Sequence, residues 1–252
     1  MLATLNFEAQ TATDMPPLVI AHGLFGSGRN WGVIAKRMSD TRHVVTVDMR
    51  NHGSSPWDAD HSYAALAADL AEVISSLGTC DLLGHSMGGK AAMVAALSGA
   101  AVRRLIVGDI APVGYTHTQI HLIDAMEALD LSTIASRSDA DAALAGQIDD
   151  PTVRAFLLQS LDVPGKMWKL NLPALRDQMP AILGFPPVNA TFDGATLFLS
   201  GALSDYVLPE ARAAIKPLFS KARFAKIPAA GHWLHAEKPR EFEAAIRVFL
   251  DS

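Results

Sequence analysis

The stretch Asp81-Leu-Leu-Gly-His-Ser-Met-Gly-Gly-Lys90 restricts what this chain can fold into more than any other. Leu82-Leu83 is a short apolar run that stops at Gly84. Beyond Gly88-Gly89 the sequence turns alanine-rich, Ala91 to Leu97, and predicts a helix. A strand, a glycine-flanked turn and a helix around one serine form the Gly-x-Ser-x-Gly elbow pattern. The spacing has a physical reason. A serine pinned in a sharp turn holds its hydroxyl clear of the sheet. Gly84 and Gly88 lack a Cβ, so strand and helix can approach closely around it. The helix N-terminus lies beside the serine and turns backbone N–H groups toward any negative charge formed there. An ordinary serine in a strand–helix turn is the plainer reading of the pentapeptide alone. The strand before it and the helix after it favour the elbow.

The rest of the chain supplies a sheet for that turn. Leu18-Val-Ile-Ala21 is wholly apolar, as a central parallel strand should be, and ends in the glycine-rich loop His22-Gly-Leu-Phe-Gly-Ser-Gly28. Leu2 to Gln10 alternates loosely and predicts another strand. A helix is expected over Trp31–Met38, a strand over His43–Val47, a helix over Tyr63–Leu77 and a strand over Leu105–Gly108. Strands alternating with helices imply a parallel α/β sheet flanked by helices, with functional groups at the carboxyl ends of the strands. Half of the 252 residues are hydrophobic, enough for a sizeable core.

The alternation stops after Pro112. Residues 113–187 predict short helices, over Ile120–Leu129, Ala140–Ile148, Val153–Leu161 and Leu175–Leu183, and no buried strand. This run is too long for an ordinary crossover and is expected to be a helical cap over the sheet edge. The expected division is a core domain, 1–112 and 188–252, with a cap insertion, 113–187. Strands resume at Ala195–Leu199 and Ala222–Ile227. A helix is expected over Glu210–Phe219 and a last one over Phe242–Leu250.

A serine hydroxyl is a poor nucleophile until a base takes its proton, and the base is most often histidine. Of nine histidines, His232 stands apart, after the last strand in Ala-Ala-Gly-His-Trp. His22, His52 and His85 read as turn-shaping, His43 and His61 as surface residues, and His235 as packing. His117 and His121 fall in the expected cap, where they can face a substrate. Two aspartates end strands and can orient the imidazole: Asp109 and Asp205. Ser204 occupies the place relative to Gly201 where such an acid usually falls, with Asp205 one position late. The residues themselves leave the two aspartates even. An oxyanion needs two N–H donors. Met87, after the serine, supplies one, and the loop after the first central strand supplies the other, from Leu24. The apolar residues Met126, Leu129, Phe156, Leu157, Met167, Trp168 and Phe185 are candidates for an acyl pocket or for plain helix packing.

Over nearly its whole length the chain resembles the α/β-hydrolase superfamily, and within it the YbfF-type bacterial esterases and their mitochondrial relatives. The matching stretches are His22-Gly-Leu-Phe-Gly-Ser27, Val47-Asp-Met-Arg-Asn-His-Gly53, Gly84-His-Ser-Met-Gly-Gly-Lys90, Asp109-Ile-Ala-Pro-Val113 and Gly231-His-Trp-Leu-His-Ala-Glu-Lys-Pro239. Proteins of this type keep a serine at the usual acid place and an aspartate after the preceding core strand. The resemblance therefore implies a set of Ser86, His232 and Asp109, with Ser204 as an extra hydrogen-bonding member. Asp205 is the alternative acid, because this chain departs from the pattern in placing an acidic residue directly after Ser204.

The expected function is a cofactor-independent serine hydrolase acting on small-molecule carboxylic esters or thioesters, acyl-CoA among them. Dehalogenases and epoxide hydrolases of this fold use an aspartate nucleophile, so Ser86 argues against both. Carbon–carbon bond hydrolases and perhydrolases share the same residues. A binding or signalling protein on a hydrolase scaffold is the rival from another class. The net charge of −5 and scattered basic residues do not suggest a nucleic-acid partner. One cysteine, Cys80, makes no internal disulfide and no metal framework. No apolar window reaches the ~20 residues of a membrane span. The N-terminal residues lack a basic region followed by an apolar run, so no signal peptide and a cytoplasmic location are expected.

Overall fold

The computed structural model describes residues 1–252. Its elements run in order β1 (Thr4–Phe7), β2 (Leu18–Ala21), α1 (Gly32–Met38), β3 (Val44–Val47), α2 (Tyr63–Leu77), β4 (Cys80–His85), α3 (Met87–Leu97) and β5 (Val102–Gly108). There follow α4 (Ile120–Ala128), α5 (Arg137–Leu144), α6 (Pro151–Leu157), β6 (Leu161–Asp162), β7 (Met167–Trp168), α7 (Leu172–Asp177) and α8 (Met179–Leu183). The chain closes with β8 (Ala195–Gly201), α9 (Arg212–Leu218), β9 (Ala222–Ile227), α10 (Leu234–Glu237) and α11 (Pro239–Leu250). This is an α/β-hydrolase fold: one seven-stranded sheet in the order β1-β3-β2-β4-β5-β8-β9. Only β1 is antiparallel, at one edge beside β3.

The two periodicities of the sequence explain the layers. In β2, Leu18 and Ile20 point to one side of the sheet, with Trp31 just before α1, Ile34 of α1, and Phe242 and Ile246 of α11. Val19 and Ala21 point to the other, with the buried faces of α2 and α3. A strand buried on both faces has no polar side, so β2 and β3 are buried at every position while β1 is largely exposed. Along α11 the buried residues are Phe242, Ile246, Phe249 and Leu250, a helical stripe with charged residues opposite. Truncating fully buried Phe242 to alanine would remove on the order of 3–5 kcal/mol.

Register brings the strand ends together. Ala21 pairs with Gly84, His85 with Gly108, and Gly108 with Leu199. The loops that follow β2, β4, β5, β8 and β9 therefore gather along one edge. The segment between β5 and β8 lies over it. Ser160 Oγ donates to the Phe25 carbonyl at 3.0 Å, and the N–H groups of Tyr115 and Gly53 donate to Leu183 and Lys169 at 3.0 and 2.8 Å. Apolar residues of this segment join the same buried cluster as α2 and α3.

Several local expectations shift. A 3-10 turn, Gly28–Trp31, precedes α1. The helix expected from Ala140 starts at Arg137, because Ser136 and Asp139 cap each other's backbone N–H groups. The helix expected over Leu175–Leu183 breaks at Gln178 into α7 and α8, where Pro180 offers no N–H. Residues 113–187 do contain a strand pair, the two-residue ribbon β6–β7. His61 is buried rather than a surface residue. No helix is long and apolar enough to cross a membrane.

Candidate active site

Ser86 sits between β4 and α3 with φ 52° and ψ −121°. Such a backbone costs a non-glycine residue about 1–3 kcal/mol and persists only where the surroundings hold it. Here Ser86 N–H donates to the Gly108 carbonyl at 2.9 Å, and Lys90 N–H donates to the Ser86 carbonyl at 3.0 Å. The two glycines of the elbow are set by close approach. A Cβ on Gly84 would lie 2.2 Å from the Gly88 carbonyl oxygen, and one on Gly88 would lie 2.4 Å from that of His22.

His232, after β9, places Nε2 3.0 Å from Ser86 Oγ and Nδ1 2.8 Å from Asp109 Oδ2. A carboxylate only accepts, so Nδ1 carries the hydrogen and Nε2 is free to accept from the serine hydroxyl. Asp109 is fully buried after β5 with φ 49°. Its Oδ1 accepts the Gly201 N–H at 3.0 Å, and Oδ2 also accepts a short hydrogen bond from Ser204 Oγ. Asp205 is exposed and makes no hydrogen bond to His232. His85 Nε2–H donates to the His232 carbonyl at 2.8 Å, so the residue before the serine anchors the loop that carries the imidazole.

Leu24 and Met87 both line the same cavity as Ser86. Met87 opens α3, so its N–H has no acceptor within the helix. In the loop after β2, the Phe25 N–H donates to His52 Nε2 at 3.1 Å and the Gly26 N–H to the Gly23 carbonyl at 3.0 Å. Leu24 N–H has no such partner. The histidines read as turn-shaping hold this loop. His22 accepts the Met49 N–H at 2.9 Å and donates to the Gly23 carbonyl at 2.7 Å. His52 donates to the Arg50 carbonyl at 2.9 Å. His61 lies 3.1 Å from Asn51 Nδ2 and 3.3 Å from Met87 Sδ. His235 stacks on Trp31, centroids 4.1 Å apart. Burial pushes His22 down to about 4, His52, His61 and His235 down to about 3, and His85 well below the ordinary imidazole value.

A cavity of about 510 Å³ opens above Ser86, within the range of small-molecule sites. Leu122, Ile148, Val153, Phe156, Ile182 and Leu183 supply its apolar wall from the segment between β5 and β8. His117 and His121 also line it. Of the apolar candidates, Phe156 alone lines this cavity. Leu157 is buried in packing, Met126, Leu129, Met167 and Trp168 border a separate cleft, and Phe185 packs beside Tyr63. Lys90 is the one Lys or Arg in the lining, and it is committed. Its Nζ donates to the Ile182, Leu183 and Gly184 carbonyls at 3.4, 2.8 and 2.6 Å and lies 4.7 Å from the Tyr115 ring centre. The side chain thereby ties α3 to the end of α8, while burial pushes its amine down to about 7. No group of three or more His, Cys, Asp or Glu side chains is arranged to hold a metal ion.

The family model described as "Alpha/beta hydrolase family" matches residues 18–245. The chain belongs to the alpha/beta hydrolase family. Within it, the chain is 42% identical to the mouse sn-1-specific diacylglycerol lipase ABHD11 over 250 residues, covering 94% of this chain and 81% of that protein. It is 40% identical to esterase YbfF of Escherichia coli K12 over 255 residues, covering 98% and 99% of the two chains. A solved structure of a marine microorganism esterase superposes with a TM-score of 0.91 at 36% identity, covering 98% of each chain. The chain is a carboxylesterase-like alpha/beta hydrolase, similar to esterase YbfF.

Proposed function

We propose that this hydrolase cleaves uncharged carboxylic esters through an acyl-enzyme on Ser86. The observation that carries the reading is the continuous relay from Ser86 Oγ to His232 at 3.0 Å and on to Asp109 at 2.8 Å. Ser86 Oγ attacks the acyl carbonyl as His232 Nε2 takes its proton. Negative charge on the carbonyl oxygen falls to the N–H groups of Leu24 and Met87. His232 then returns the proton to the departing alkoxide, the C–O bond breaks, and the alcohol leaves. Water, deprotonated by His232, attacks the acyl-enzyme and releases the acid and Ser86. Asp109 holds the imidazole in the required tautomer, and Ser204 and the Gly201 N–H hold Asp109. Residues 113–187 act as a cap whose apolar wall receives the acyl chain.

Fluorophosphonate labelling tests this assignment. Wild-type protein is expected to label at Ser86, and Ser86→Ala to remain unlabelled and without ester turnover. Equal labelling of Ser86→Ala, or none of wild type, sinks the mechanism. Unlabelled wild type would instead favour a binding protein on this scaffold.

The lining separates ester classes. Lys90 is saturated by carbonyls, and the remaining charged residues at the cavity outside the relay are Asp149 and Asp150. Asp150 caps α6 through the Thr152 N–H, leaving Asp149 free to meet a leaving group. A polyanionic carrier such as coenzyme A meets like charge there, within a Debye length of about 8 Å at physiological salt. An acyl-CoA is therefore expected to show kcat/KM about 10-fold or more below the uncharged N-acetylcysteamine thioester of the same acid. Added salt and Asp149→Asn should both narrow the gap. Preference for the CoA thioester would overturn the charge argument. The vertebrate relatives named as diacylglycerol lipases support uncharged acylglycerols as members of the substrate class.

A further inference from the structure

The imidazole of His232 is held on more than its edges. The Tyr206 ring lies flat against it, with centroids 3.9 Å apart and planes 18° from parallel. His85 covers it from a second direction at 4.8 Å and 42°. Tyr206 is itself fixed at three points. Its N–H donates to Ser204 Oγ at 3.3 Å, its carbonyl accepts from Tyr115 Oη at 2.7 Å, and its phenol oxygen lies 2.7 Å from His117 Nε2. Tyr115 Oη in turn accepts the Ala111 N–H at 3.0 Å, two residues after Asp109. The anchors of the ring are thus the loops that hold Asp109, together with the mouth of the cavity.

We propose that Tyr206 is a positioning residue whose aromatic face steadies His232 and favours the imidazolium that forms when Ser86 gives up its proton. The face of an aromatic ring carries negative quadrupole charge and attracts a cation laid on it. Neutral imidazole gains little from that face, and imidazolium gains more. The contact is therefore stronger as proton transfer proceeds than in the resting site, and it acts on kcat rather than on KM. The tyrosine also fixes the ring plane, so that Nε2 stays aimed at Ser86 Oγ. The Tyr206 hydroxyl serves the mouth through His117, and the ring serves the base.

This inference rests on His232 as the base, and its test is kept separate from that of the base. Tyr206 is replaced by phenylalanines carrying increasing numbers of ring fluorines. These drain charge from the face at nearly constant shape. With each fluorine kcat for a neutral aryl ester is expected to fall, to a total loss between about 3- and 30-fold, while KM and the thermal midpoint stay put. Tyr206→Phe should keep kcat within about 3-fold of wild type, and Tyr206→Leu should lose at least as much as the most fluorinated ring. A flat kcat across the fluorine series overturns the proposal. So does a Tyr206→Phe loss equal to that of Tyr206→Leu, which would assign the effect to the hydroxyl. His232→Ala reads out the base alone. If Ser86 labels with fluorophosphonate as fast in His232→Ala as in wild type, the base assignment fails. Slow labelling there together with a flat fluorine series overturns Tyr206 only.

Discussion

Asp109→Asn is expected to lower ester kcat by about 10⁴-fold, while Asp205→Asn stays within about 3-fold of wild type. The difference follows from what each carboxylate touches. Asp109 Oδ2 accepts the Nδ1–H of His232 at 2.8 Å, which leaves Nε2 unprotonated toward Ser86. An asparagine fits the same space and can keep the Gly201 N–H as a donor to a carbonyl oxygen in the Oδ1 place, which puts its NH₂ in the Oδ2 place beside Ser204 and His232. Its NH₂ then faces Nδ1 and favours the tautomer with hydrogen on Nε2, where no proton can be taken. The loss is chemical rather than structural, so the thermal midpoint should change little and the fall should lie in kcat. Asp205 is exposed and bonds to no part of His232, so removing its charge leaves the relay intact. Steady-state kinetics on an aryl ester, with thermal unfolding of each variant, checks both. The reverse ranking would overturn the assignment.

The second large effect is on stability in acid. His22, His52, His61 and His235 stay neutral in the fold down to about 4, 3, 3 and 3, while an unfolded chain protonates its histidines near 6.5. Below about pH 6.5 the unfolded state therefore binds more protons than the folded state, and stability falls as pH falls. It is fully present above that value and is lost progressively toward pH 4 and below. Each such histidine contributes a slope of about 1.4 kcal/mol per pH unit, and four together give on the order of 5. Total stability of a domain is about 5–15 kcal/mol, so at that slope unfolding is expected between roughly pH 3.5 and 5.5. Urea midpoints should be level from pH 8 to 7 and collapse below 6. His235→Phe, which keeps an aromatic ring over Trp31, should reduce the slope by about a quarter. A level midpoint from pH 7 to 5 would contradict the argument.

The sheet was readable because its strands announce themselves. Leu18–Ala21 and Val44–Val47 are short and β-branched or aliphatic, and the glycines around Ser86 mark a strand–helix turn that few other patterns explain. The relative placing of Asp109 and Asp205 was not readable, since both simply end strands. What separates them is three-dimensional: a positive φ at Asp109 and the donors from Gly201 and Ser204 around its carboxylate, 92 and 95 residues further along. His61 hid for a similar reason. Its neighbours Asp60 and Ser62 are polar, while Asn51 and Met87, its partners, lie 10 and 26 residues away. The lining of the cavity was least legible. Helix periodicity shows which residues of 113–187 turn inward, and Met126 and Phe156 both do. It does not show that one meets other helices and the other meets the space above Ser86.

The span of the relay has a consequence during synthesis. Ser86 and His232 are separated by 146 residues, and His232 follows the last strand of the sheet. At roughly 5–20 residues per second, a ribosome takes about 7–30 s to pass from one codon to the other. Through that interval the elbow can form on the growing chain with no base in reach. On the proposed mechanism the Ser86 hydroxyl gains its base only when β9 has docked on β8, so chemical competence would arrive together with completion of the sheet, and a truncated product would carry an inert serine.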